Sequence, residues 1–240
     1  ESVVEQMQSG DVLALPQSSR LSKLNLSKLP DNTQVENGNV GEIYLGKGVH
    51  NNLTFVDVMA KISAVSEESG LMGTVKNSQF HGISALGNGV YQNSKFTEIV
   101  GGHGHKVIDI DGGALINCRI FYLWYHNAGD RGPYISVNLG EGVDCKNTRV
   151  FQVVEHNYCE TTVQGEFSNI SGGFFWGPGD TERARQKTTL YKITNCKDLV
   201  FFGHRQFSGS RGACEILSEG SSYQINGGSG VKFVYSYDIG

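Results

Sequence analysis

The sequence predicts an all-β protein built as a parallel β-solenoid, and three observations predict it. Glycine supplies 32 of 240 residues, proline only four, and charged residues 18%. Such a turn-rich, weakly charged composition suits short strands and not a helical bundle, which would be rich in Ala, Glu, Lys and Leu. Second, apolar runs such as GEIYLG, NLTFVDVMA, KVIDI, RVFQVV, LVFFG and VKFVYSY are short and bounded by Gly, Asn, Asp and Ser, the pattern of strands joined by turns. Third, one phrase recurs, an Asn followed by an apolar run. Asn52, Asn77, Asn93, Asn117, Asn147, Asn169 and Asn195 are separated by 25, 16, 24, 30, 22 and 26 residues. A repeat of roughly 20–30 residues holding several short strands is the signature of a solenoid whose strands are fixed in length and whose loops vary.

Taken in order, the first nine residues, ESVVEQMQS, can form one short amphipathic helix. Ser2 is placed to cap it, Glu5 holds the capping-box position, and Val3, Val4 and Met7 share a face. Gly10 ends it, and GDVLALP turns into a short strand that stops at Pro16. Residues 1–16 thus read as a cap and first strand, and 17–240 as coils of a single domain. ERARQK (182–187) is helix-prone but too short to stand alone.

Parallel stacking explains the repeated Asn. Equivalent residues of successive coils lie ~4.8 Å apart. An inward-facing Asn at each turn would bond its own turn and the Asn above and below, and Asn tolerates left-handed backbone. Phe80, Phe96, Ile120, Val150, Phe174 and Leu199 follow within three to five residues and are expected to form the inward apolar column. Six of the seven histidines fall near predicted strand ends, the position of turn residues bonded to backbone. The five cysteines, Cys118, Cys145, Cys159, Cys196 and Cys214, are odd in number and fit no zinc spacing. They read as buried thiols of a protein that folds in a reducing compartment.

Net charge is −4, from 20 basic and 24 acidic residues, so the broad basic footprint of a nucleic-acid binder is missing. No apolar run approaches the ~20 residues of a membrane-spanning helix, so no membrane insertion is expected. No metal cluster and no cofactor motif is evident. The chain starts at Glu1 without Met or signal peptide and reads as a processed or excised segment.

The helix-plus-GDVLALP opening and the phrases at Asn77, Asn93, Asn117, Asn147 and Asn195 resemble the right-handed parallel β-helix proteins of the pectate-lyase-like superfamily. The resemblance spans nearly the whole chain and is most like a bacteriophage tailspike or polysaccharide depolymerase. It implies a right-handed, single-stranded parallel β-helix with a short N-terminal capping helix. It also implies a polysaccharide substrate, a homotrimer, and a location in the virion tail after folding in host cytoplasm, or outside the cell. It assigns no residue. The calcium-binding aspartate cluster of pectate lyases is not evident. Gly102-His103-Gly104 lacks the downstream RIK partner of polygalacturonases.

Candidate chemistry concentrates in the middle of the chain. Steps of 25 from Asp130 reach Glu155, Asp180 and Arg205. These three carboxylates are the candidate catalytic groups. Trp124, Tyr125, His156, Tyr158, Trp176, Arg183 and Arg205 around them are the candidate substrate-binding groups, since aromatic faces stack on sugar rings and Arg holds acidic sugars. The loops here, NAGDRGPY and GPGDTERARQK, are long, and long loops on a rigid scaffold carry function. Carboxylates on adjacent coils, such as Glu155 and Asp180, would lie about 5 Å apart, as in a retaining glycosidase; Asp130 and Asp180, about 10 Å apart, would approach the inverting range. A lyase would instead use a base and charge neutralisation from His156, Arg183 or Arg205. Glycosidase, lyase and non-enzymatic receptor-binding fibre or adhesin remain open, as does a secreted bacterial lyase.

Overall fold

A computed structural model describes residues 3–17, 21–101, 106–124, 137–140, 143–154, 165–169, 172–176, 189–202, 205–207, 222–234 and 237–239. Among these the chain is almost entirely strand, and all strand pairing in the sheets is parallel. The chain visits three main sheets in turn, and near its end Arg205–Phe207 pairs with Tyr237–Ile239 in a fourth, two-stranded one. Sheet A runs in sequence order from Val12–Ala14 through Gln34–Glu36, Thr54–Val56, Gln79–His81, Lys95–Gly101, Arg119–Trp124, Arg149–Val154, Phe174–Trp176 and Val200–Phe202 to Lys232–Val234. Sheet B runs likewise from Leu21–Asn25 to Ser222–Asn226. Sheet C is shorter, from Val49–Asn51 through Thr74–Lys76 and Gly89–Gln92 to Gly113–Ile116. Each strand therefore pairs with its counterpart one repeat along, as the Asn spacing predicts.

The core lies between the sheets. In sheet A, Val35, Phe55, Phe80, Phe96, Ile120 and Val150 occupy one register column and are all buried. Phe55, Phe80 and Phe96 stack nearly parallel, with ring centroids 5.0 and 4.7 Å apart. That spacing is the interstrand repeat itself, so the stacking geometry of the rings and the pairing geometry of the backbone coincide. Sheet B contributes Ile43, Ile62, Leu86 and Ile108 from one column and Ile110, Leu139, Phe167 and Ile193 from the next. The hydroxyl of Tyr91, fully buried among them, donates to backbone carbonyls, including that of Ile62 at 3.1 Å.

The expected inward column needs a correction past Val150. Phe174 pairs with Arg149, an outward position; Phe175 and Phe201 hold the register of Val150, and Leu199 is a buried corner residue two before Phe201. The slip arises because Asn169 and Asn195 do not turn the same corner as the earlier asparagines. They follow the sheet B strands Gly165–Ser168 and Thr189–Thr194. The corner leading into sheet A is marked by Asn32, Asn52, Asn77, Asn93, Asn117 and Asn147, each with φ between 51° and 60°. It continues as Gly172, Asp198 and Gly230, each two residues before paired sheet A positions and each with positive φ.

These asparagines are exposed, not inward. Their side chains form a ladder along the outside edge: Asn93 donates to Asn77 at 3.3 Å, Asn117 to Asn93 at 3.1 Å and Asn147 to Asn117 at 3.1 Å. The left-handed turn throws the Asn side chain outward and the following residue inward. Hence Leu53, Ser78, Ser94, Cys118 and Thr148 are buried in a column of their own. There Ser78 Oγ accepts the Leu53 N–H at 3.0 Å, and Thr148 Oγ1 accepts the Cys118 N–H at 3.3 Å.

Cys118, Cys145 and Cys196 are buried thiols, as expected. Burial pushes the Cys118 thiol up to about 11 and that of Cys145 higher still, so neither is a nucleophile at neutral pH. Cys159 and Cys214 lie outside the described residues. The N-terminal helix is shorter than expected, Val3–Gln6, and Val4 and Met7 pack on the core while Val3 stays exposed. Among the described residues no helix is long and apolar enough to cross a membrane.

Candidate functional site

The outer face of sheet A changes character along the stack. Alternation puts Lys95, Arg119 and Arg149 outside, flanking the buried Phe96, Ile120 and Val150, and the three cations are in mutual register. Strands pair ~4.8 Å apart, so three positive side chains project at that repeat. No carboxylate among the described residues pairs with any of them. Two residues along each strand stands a second column. Phe121 is 36% exposed, Phe151 pairs with it and is half-buried, and Trp176 and then Phe202 follow in register. Phe174 follows Arg149 in the first column.

At the low end of this strip, Lys95–Gly101 bulges between Phe96 and Ile99. Glu98 sits in the bulge with φ 55°, a left-handed conformation unusual for Glu. Its carboxylate lies 3.3 Å from His81 Nε2, while His81 Nδ1 is 3.1 Å from Thr97 Oγ1.

At the upper end, a cleft of about 670 Å³ opens at the corner, lined by Asp144, Lys146, Asn147, Arg149, Phe174 and Asp198 among others. Its cause is local. Gly172 holds the position stacked on Asn147, so the amide ladder lacks a side chain there, and Asp198 takes the position beyond. The cleft brings two carboxylates, two cations and an aromatic ring to the same strip of surface.

Sheet B carries a different polar face. Asp109 receives Lys61 at 2.9 Å, Lys106 at 3.2 Å and Asn138 at 2.9 Å. Burial opposes its charge, but the bonds from Asn138 and Lys61 outweigh burial and hold its carboxyl below the usual range. Lys61, stacked on Ala85, reaches Asp109 by crossing Gly87, which lies between Ser63 and Asp109 in the stack; a Cβ on Gly87 would strike Ser63 Oγ and, at 2.8 Å, Lys61 Cε. These groups satisfy one another and leave little for a ligand. His50 is likewise satisfied and buried, its ring nitrogens 3.1 Å from the Leu29 carbonyl and 2.6 Å from that of Leu45.

Trp124, Trp176 and Arg205 are on strands: Trp124 pairs with Gly101 and Val154, Trp176 with Phe151 and Phe202, and Arg205 with Tyr237. Asp130, Tyr125, Glu155, His156, Tyr158, Asp180 and Arg183 lie outside the described residues. Their segments share one topological feature: 125–136, 155–164 and 177–188 all connect a sheet A strand to the next sheet B strand. Sequence reading missed Lys95, Arg119, Arg149 and Phe121. The pattern K-F-T, R-I-F, R-V-F, a residue either side of each core position, was the available signal.

Among the described residues no three His, Cys, Asp or Glu side chains gather to hold a metal ion. Comparison with protein-family models, with curated proteins and with solved structures finds no match to this chain.

Proposed function

We propose that this chain is a right-handed parallel β-helix of the pectate-lyase-like kind, and that it binds and cleaves a bacterial cell-surface polysaccharide along the outer face of sheet A. The observation that carries the reading is the strip itself. A column of exposed cations, Lys95, Arg119 and Arg149, runs beside a column of aromatic residues that includes the exposed Phe121 and the half-buried Phe151, and the two end beside a cleft with Asp144 and Asp198. Aromatic faces suit sugar rings and the cations and carboxylates suit hydroxyl and acidic substituents. Asp130, Glu155 and Asp180, on segments that leave the same side of sheet A, are the proposed acid, base or nucleophile. Buried thiols support folding in a reducing compartment such as host cytoplasm, and a homotrimeric tailspike is the assembly this reading implies.

Incubation with a panel of capsular and O-antigen polysaccharides tests it. Reducing ends mark a hydrolase and unsaturated ends a lyase, and Asp130→Asn, Glu155→Gln and Asp180→Asn should abolish them. No product and no binding across the panel would overturn the proposal. Binding without product would leave a receptor-binding module, a reading favoured by the completeness of the strip on strands alone.

A further inference from the structure

We infer that the cleft at the corner leading into sheet A is a subsite for a sugar that carries a free ammonium and a carboxylate together. The inference rests on the polysaccharide reading above and names one unit of that ligand. The cleft is lined by two cations, Lys146 and Arg149, and two carboxylates, Asp144 and Asp198. Two positive and two negative groups sum to zero, so a ligand of one sign meets repulsion as well as attraction there. A ligand that is neutral overall but charged at both ends meets attraction at both. Among the described residues none of the four makes an ion pair. The one hydrogen bond to them described on a side chain is from the Lys146 N–H to Asp144 Oδ1 at 3.0 Å. The charges are held apart, open to a ligand.

The backbone sets their separation. Asp144, Lys146 and Arg149 share one coil, Gly172 and Gly173 follow on the next, and Asp198 on the one beyond. The lower row is therefore net +1, two cations less one carboxylate, and the upper row −1. Lys197, beside Asp198, does not line the cleft. Two repeats put about 10 Å between the rows. The floor between them at the corner is the bare backbone of two glycines with φ 69° and 132°. A single small ion cannot touch both rows, whereas a sugar ring with its charged groups on opposite sides spans them. Its carboxylate would meet the fork of Arg149 and the ammonium of Lys146, and its own ammonium Asp198. Asp144 opposes a second anionic group in the lower row. Phe174, stacked on Arg149 and next to Gly173, brings a half-buried ring to the cleft wall. That ring offers its face to a sugar; a free amino acid would supply both charges but no ring to cover it.

The test titrates the full chain with small probes, followed by ligand-observed NMR. Muramic acid carries an ammonium and a carboxylate on one sugar. N-acetylmuramic acid keeps only the carboxylate, glucosamine keeps only the ammonium, and γ-aminobutyrate has both charges and no ring. Muramic acid is expected to bind at least about tenfold more tightly than each of the others. Asp198→Asn, a residue that suits the φ of 55° at this position, should lower muramic acid binding to the level of N-acetylmuramic acid and leave the latter unchanged. Arg149→Gln should weaken both muramic acids and leave glucosamine unchanged. Both side chains are exposed, so an unchanged melting curve is expected to accompany each loss. Equal binding of muramic and N-acetylmuramic acid, unaffected by Asp198→Asn, would overturn the inference. γ-Aminobutyrate binding as tightly as muramic acid would overturn the assignment to a sugar. Binding of the capsular or O-antigen panel with no binding of any small probe would overturn this inference alone and leave the polysaccharide reading intact. No binding of polymer or probe would overturn both.

Discussion

Gly172 stacks on Asn147 at the corner leading into sheet A, and the outer amide ladder ends there. The backbone at Gly172 has φ 69°, in the same left-handed region as the asparagines at the equivalent positions below, whose φ runs from 51° to 60°, and a Cβ would meet nothing nearer than 3.5 Å. Gly172→Asn should therefore fold with unchanged or slightly raised stability, since the new amide extends the ladder. It should also fill part of the cleft and weaken the proposed polysaccharide binding by about tenfold. Thermal melting and a binding titration on the same sample check both halves. Loss of fold would show that the position is closed to side chains; unchanged affinity would remove the cleft from the binding surface.

Asn117 separates the two roles of the ladder asparagines. It donates to Asn93, accepts from Asn147, and holds φ 53°. Asn117→Gly keeps the backbone and loses the amide bonds, which are exposed and worth about 1 kcal/mol together at most. Asn117→Ala loses the same bonds and adds left-handed strain of about 1–2 kcal/mol. Urea unfolding should rank wild type, Gly, then Ala. Equal losses would mean that the amide bonds, not the turn, dominate.

Asp109 gives the protein an acid-sensitive contact. Its folded carboxyl is held below the unfolded value, so the stabilisation is complete above the unfolded carboxyl range near pH 4 and disappears as pH falls through the lower folded value. Asp31, held down by Asn51 through its side-chain and backbone N–H groups at 3.0 and 2.8 Å, acts in the same direction. Asp109→Asn should cost about 1–2 kcal/mol at pH 7 and progressively less below pH 4. Melting temperatures of both proteins between pH 7 and pH 2.5 should converge; a constant gap would assign the loss to packing.

Glu98 balances two small effects. Its left-handed backbone costs about 1 kcal/mol or more, while an exposed pair with His81 returns at most about 1 kcal/mol. Glu98→Asn should be neutral or stabilising by up to about 1 kcal/mol, and Glu98→Val clearly destabilising. Equal losses in Asn and Val, read from urea midpoints, would place the ion pair above the backbone.

How much of this was legible in the sequence follows from what repeats. Asn77, Asn93, Asn117 and Asn147 each precede a core residue by three positions, so the parallel stacking and the Phe80–Phe96–Ile120–Val150 column could be read directly. The reading failed at Asn169 because an Asn at a second corner looks the same in sequence as one at the first; only register shows that Gly172 and Asp198 continue the series. It also took the asparagines as inward, since composition does not reveal that a left-handed residue aims its side chain away from the core. The outer strip was missed because charged and aromatic residues beside core positions look like ordinary solvent-facing strand residues until the partner strands are known. Asp130, Glu155 and Asp180 lie outside the described residues.

After the first, residues 15–20, the connections from sheet A to sheet B lengthen along the molecule. Early ones are Asn37–Gly38 and Asp57–Val58; later ones span 125–136, 155–164 and 177–188. Meanwhile Arg119–Trp124 and Arg149–Val154 stay paired residue for residue, and Phe174–Trp176 pairs with Arg149–Phe151. Chain length at that edge is thus uncoupled from strand pairing. Insertions and deletions there leave the hydrogen-bonded frame untouched, so the length and sequence of these connections can change without refashioning the scaffold that carries them.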